Sequence, residues 1–189
     1  MTWNRLITAV LLPALLLCSG CASLLPSTKD VTRTPWNSYE DVRTAYGKVE
    51  PNTTTVKQLR TLGFNIYSSP NVKILNYVDI AVATQSIKFE DLSGGLAKCL
   101  KAGNNCRGYE FEPKVRYDKR YGNFWLDFFN FRRKTRGTGW QFKADFFVID
   151  DIVVEKIWSG TPFIHIENDQ KNPLGPLQEG VGIFFRLVP

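Results

Sequence analysis

Apolar positions along the chain change period, and each change marks a different kind of element. Tyr39, Val42, Tyr46 and Val49 recur at helical spacing after Ser38, which has Asp41 three places on as a capping partner, so a helix is predicted over residues 39–48. Pro51-Asn52-Thr53-Thr54 interrupts it. Thr54 then caps a second short helix whose Val56, Leu59 and Leu62 share one face before Gly63 ends it, and the two make an αα-hairpin. From residue 123 the period is two. Phe124, Leu126 and Phe128 alternate with Trp125, Asp127 and Phe129, and Trp140, Phe142, Ala144, Phe146 and Val148 alternate with Gln141, Lys143 and Asp145. Two strands follow from this, with Arg136-Gly137-Thr138-Gly139 as the turn between them. Asp150-Asp151 makes the next turn and residues 152–158 a third strand, giving an antiparallel meander with one face on the helices. Ser159-Gly160-Thr161-Pro162 breaks the pattern before a short strand at 163–166, and the Pro- and Gly-rich 172–178 reads as a loop. Between the patterned regions, 72–80 and 109–117 read as strands and 92–102 as a helix. The expected fold class is α+β: two short N-terminal helices on a β-meander, with an extra middle segment.

The start of the chain has another pattern. Arg5 is the only charge before an apolar run over residues 6–17, the layout of a secretory signal. The run is shorter than the ~20 residues that span a bilayer. Ser19-Gly20-Cys21 follows, small residues before a Cys, and this resembles the lipobox whose Cys is acylated before cleavage on its N-terminal side. Leu17 stands one place early for that motif, with Cys18 between. The expected organisation is a cleaved signal over 1–20, a lipidated tether over 21–35 that starts at Cys21 and is polar with Pro26 and Pro35, and one domain over 36–189. Acyl chains on Cys21 imply membrane attachment, since each buried methylene contributes about 0.8 kcal/mol. Ala22 and Ser23, where an Asp would retain many such proteins at the inner membrane, imply the periplasmic face of the outer membrane.

Composition narrows the function classes. Without residues 1–20 the chain keeps 23 basic and 18 acidic side chains, a modest excess whose densest cluster is Arg132-Arg133-Lys134 with Arg136. Nucleic acid is not an expected partner for an exported chain. An anionic lipid headgroup or an acidic protein face could use that charge, and a solvated hairpin end is an equal reading. Cys99 and Cys106, close together in an oxidising compartment, read as a disulfide; a metal site would need two further ligands, and His165, the single histidine, is distant in sequence.

Candidate chemistry is sparse. His165 has no nucleophile motif beside it, Asp150-Asp151 reads as a turn before it reads as an acid and base pair, and Ser93-Gly94-Gly95 and Gly137-Thr138-Gly139 lack the Lys and spacing of a phosphate loop. No catalytic residue, cofactor or metal is expected. Aromatic residues of both parities in 124–131 stand out instead. Trp125, Phe129 and Phe131 fall on the sheet face opposite Phe124, Leu126 and Phe128, and that second face needs a cover. Either the chain itself covers it, or a partner protein or lipid does, held by Trp125, Phe129, Phe131, Arg132 and Arg133.

Lipidated Cys, tether, helix pair and meander in this order resemble the SmpA/OmlA family of small outer-membrane lipoproteins. Val49-Glu50-Pro51-Asn52-Thr53-Thr54 through Leu62-Gly63-Phe64 is similar to the family's I-x-x-G-M-T turn and the helix ending in Leu-Gly, and 140–154 is similar to its final hairpin. Asn52 and Thr53 replace the Gly and Met of that turn, the middle segment is longer, and the family's Tyr-Arg-Pro-Asp tether motif has no counterpart. The long middle and the Asn-Pro-Leu-Gly-Pro-Leu-Gln loop are similar to those of a distinct set of proteobacterial lipoproteins. The resemblance implies a non-enzymatic binding or scaffold module with an envelope protein partner, in outer-membrane protein assembly or envelope integrity. A lipid or small-molecule binder is the alternative, and an envelope enzyme a more distant one.

Overall fold

Ser38 and Asp41 decide where the first helix begins. In the computed structural model, which describes residues 24–70 and 72–177, the Ser38 hydroxyl accepts from the Asp41 amide at 3.2 Å and the Asp41 carboxylate accepts from the Ser38 amide at 3.0 Å. The signal run and Cys21 lie outside the described residues. Helix α1 (Tyr39–Gly47) buries Tyr39, Val42, Ala45 and Tyr46, the face its spacing predicts. Helix α2 (Val56–Thr61) starts one residue later than expected. Thr55 caps it, because Gln58 stands three places on and completes a second capping box, while the Thr54 hydroxyl accepts from the Glu50 amide at 2.7 Å and closes the preceding turn.

The strands are β1 (Ser27–Val31), β2 (Lys73–Leu75), β3 (Cys106–Phe111), β4 (Lys114–Tyr121), β5 (Arg132–Ile149) and β6 (Ile152–Lys171), and the remaining helices are α3 (Tyr77–Thr84), α4 (Gly94–Ala102) and α5 (Phe124–Phe128). They form a six-stranded antiparallel sheet in the order β1-β4-β5-β3-β2, with β6 paired to β5, so the fold class is α+β. Several local expectations change. The stretch read as tether supplies an edge strand, β1. The expected strand over 72–80 stops at Leu75, because Asn76 accepts from the Val78 and Asp79 amides and starts α3. The expected strand over 109–117 is two strands divided at Glu112-Pro113. The meander becomes a long β5–β6 hairpin whose β5 also pairs with β3 and β4. Asp150 and Asp151 make its turn with φ of 47° and 70°, the conformation that a two-residue hairpin turn demands.

Two glycine stretches expected to break strands lie inside them. A Cβ on Gly139 would sit 1.9 Å from the Val115 carbonyl oxygen, and one on Gly160 would sit 2.6 Å from that of Gln141. These glycines permit close backbone approach within the sheet, and the strands run through.

The chain contacts define two compact units, between which β1, β4, β5 and β6 are each divided. In the larger, residues 29–116 and 138–164, β3 and β5 carry helices on both faces, not on one as expected. Tyr109, Phe111, Phe142, Ala144 and Phe146 face α1 and α2, while Cys106 and Phe147 face Ile80 of α3 and Leu96 and Cys99 of α4. The Cys99–Cys106 disulfide ties α4 to β3, with a Cα–Cα distance of 5.2 Å. Of the two glycines in α4, Gly95 is the one the packing requires: a Cβ there would meet the Val154 carbonyl at 2.3 Å, so only Gly allows α4 to lie this close to β6, whereas a Cβ on Gly94 would meet nothing within 4 Å. The smaller unit holds described residues 24–28, 117–137 and 165–177, and it contains the aromatic segment.

Candidate functional site

Asn123 and Asn130 turn the aromatic segment into a helix. The Asn123 side chain accepts from the Trp125 amide at 2.9 Å and the Leu126 amide at 3.2 Å. At the other end Asn130 takes φ of 56°, its amide donates to Asp127 O at 2.9 Å, and the Phe131 amide donates to Leu126 O at 2.8 Å. This is a Schellman closure with Asn in the place usually held by Gly. With both ends satisfied the segment coils into α5, and the strand expected over Phe124, Leu126 and Phe128 does not form.

Coiling changes which residues share a face. Trp125, Phe128 and Phe129 stand at i, i+3 and i+4, where strand parity would have set Phe128 against the other two. Their rings pack together, Trp125 on Phe129 at 6.1 Å and Phe128 edge-on to both at 6.2 and 5.1 Å. Phe128 is 64 % exposed, Phe129 46 %, Leu126 42 % and Trp125 38 %. The chain therefore leaves this cluster open to solvent to a large degree. Phe128 and Leu126, which strand alternation assigned to the inner face, belong to the exposed surface.

Asp127 is the anchor beneath. It is buried, its carboxylate lies 3.0 Å from the Arg120 guanidinium and 4.0 Å from that of Arg133, and it holds the helix to β4 and β5. Phe131 is pinned differently. Asn172 donates its amide to Phe131 O at 2.8 Å and its side-chain NH2 to Asn130 O at 3.0 Å, and the Gly175 backbone lies against the Phe131 ring. The Pro- and Gly-rich loop thus has a local task in fixing the α5 exit.

The basic cluster is matched by acids on β6. Arg132 donates in a fork to Asp169 at 2.9 and 2.6 Å, and that hydrogen bond holds the Asp169 carboxyl below its ordinary range. Arg136 pairs with Glu167 at 2.8 Å and lies over the Tyr121 ring at 5.0 Å, with Lys134 on the same ring at 5.8 Å. His165 stands 3.7 Å from Glu167. Trp125, Phe129, Phe131, Arg132 and Arg133 all fall in one unit, as contributors to an aromatic surface whose neighbouring charges are mostly neutralised. Asp127, Leu126 and Phe128 were not singled out from the sequence; two asparagines bracketing a helical turn were the signal for them.

Among the described residues no group of three or more His, Cys, Asp or Glu is placed to hold a metal ion, and no helix is long and apolar enough to cross a membrane. In the larger unit a shallow hollow of about 350 Å³ lies against Tyr77, Ala81, Phe89, Leu92 and Lys101. Comparison with protein families, curated proteins and solved structures finds no match to this chain.

Proposed function

We propose that the chain is a non-enzymatic binding module of the cell envelope, anchored by an acylated Cys21 to the periplasmic face of the outer membrane, with the aromatic face of α5 as its contact surface. One observation carries the binding role: Trp125, Leu126, Phe128 and Phe129 are exposed together on a helix that is capped at both ends. Contiguous exposed apolar surface works against solubility, and in soluble domains it marks contact surfaces. Rings on a rigid helix also lose little side-chain entropy on binding, the property that makes aromatic residues frequent anchors. The signal pattern before Cys21 and the resemblance to the SmpA/OmlA lipoproteins support the address and an accessory role in outer-membrane assembly or envelope integrity.

A photoactivatable benzoyl-phenylalanine placed at position 128 in living cells tests the contact surface. Cross-linked adducts should form there and be absent from a control at Tyr67, which is exposed on the other unit. Equal labelling at both positions, or none at either, contradicts the assignment.

A further inference from the structure

We infer that the aromatic face of α5 is seated in the outer part of the phospholipid bilayer that holds the Cys21 acyl chains. The inference rests on the proposed anchoring, and three structural observations lead from it. First, few residues lie between the acylated Cys and the fold. Leu25 is buried, the Pro26 carbonyl accepts from the Arg120 amide at 3.2 Å, and β1 starts at Ser27. Cys21 lies five residue steps before Pro26, with four residues between them, so the anchor stands within roughly 18 Å of that bond. The sequence alone suggests a tether three times as long.

Second, α5 is tied to the anchored segment. Arg120, whose backbone holds Pro26, sends its guanidinium to Asp127 under α5 at 3.0 Å. The exposed rings are therefore one arginine side chain away from the point where the chain leaves for the membrane. Confinement at that range replaces free diffusion and favours even a weak surface contact.

Third, the chemistry suits hydrocarbon at the interface better than headgroup charge. Trp settles at the boundary between headgroups and acyl chains, and an apolar face of Trp, Phe and Leu beside polar flanks is the pattern of a helix that lies in that plane. Arg120, Arg132 and Arg136 are already paired with Asp127, Asp169 and Glu167. Apolar burial, not attraction to anionic lipid, should carry the docking.

The test uses the lipidated mature chain reconstituted in phosphatidylcholine vesicles whose acyl chains carry bromine near the glycerol, with tryptophan fluorescence as readout. Quenching is expected in the wild type, is removed in Trp125→Phe, and falls at least about twofold in Phe128→Ser/Phe129→Ser as the apolar face is lost. It should change little when phosphatidylglycerol is mixed in. Phe128→Ser alone, at a largely exposed position, keeps the fold and should show an intermediate loss. Acylated chain with equal quenching in wild type and Trp125→Phe overturns the insertion and leaves the anchoring intact. Insertion only with phosphatidylglycerol overturns it in favour of headgroup binding. A mature chain without acyl mass overturns the anchoring and the insertion with it.

Discussion

Asp145 offers a prediction whose sign follows from geometry. It stands on β5 directly opposite Glu110 of β3, in a half-buried position, and its Oδ1 has no hydrogen-bond partner among the described residues. Lys143, the neighbour that could neutralise it, reaches Glu110 at 2.7 Å instead. Burial dominates and outweighs the pull of Lys143, with repulsion from Glu110 adding to it and Lys73 opposing, so the Asp145 carboxyl is pushed from 3.8 up to about 6. A carboxyl whose folded value is raised holds its proton better in the folded chain than in the unfolded one. Its stabilising effect is therefore complete below about pH 4 and is lost as pH rises through about 6. At ~1.36 kcal/mol per pH unit the displacement sets an upper bound of roughly 3 kcal/mol, and solvent screening at a half-exposed site lowers it to about 1 kcal/mol. Asp145→Asn removes the charge and keeps the shape. Urea unfolding should find the variant more stable than wild type by about 1 kcal/mol at neutral pH, with the gap closing near pH 4. A gap of the same size at both pH values, or a variant less stable at neutral pH alone, would refute the reasoning.

Further predictions concern backbone devices. Asn130→Ala should cost about 2 kcal/mol in urea unfolding, through the positive φ and the lost bond from Asn172, whereas Asn130→Gly should cost about half of that. Reduction of Cys99–Cys106, which closes a sequence separation of 7, should lower stability by about 2 to 3 kcal/mol, read as a fall in the urea midpoint on adding reductant. Gly139→Ala must push β4 from β5 and should cost more than about 3 kcal/mol or prevent folding, while Gly47→Ala, whose added Cβ meets nothing within 4 Å, should gain up to about 1 kcal/mol, both read by urea unfolding.

What was legible in the sequence is what local chemistry decides. Ser38 with Asp41 and the apolar spacing of Tyr39, Val42 and Tyr46 describe α1 without help from the rest of the chain, and the alternation from Trp140 to Val148 and the Asp150-Asp151 turn do the same for the hairpin. Alternation fails at 124–129 for a physical reason. When nearly every residue is aromatic, periods of two and 3.6 fit equally well, and the end groups Asn123 and Asn130 decide between them. Glycine misleads similarly: Gly139 and Gly160 have the composition of a turn, but the need they meet is close approach of Val115 and Gln141, which lie distant in sequence. The candidate surface was legible as residue types and not as an arrangement. Arg132 finds Asp169 across 37 residues, so a cluster that reads as free positive charge is in the folded chain mostly paired.

Cys21 is the premise of both the envelope role and the membrane seating of α5, because the short reach from Pro26 matters only if an acyl anchor begins there. Intact-mass analysis of the mature chain purified from the membrane fraction tests this most directly. The expected result is a chain that begins at Cys21 and is heavier by its acyl groups. A chain of unmodified mass, or one beginning at another residue, would contradict it.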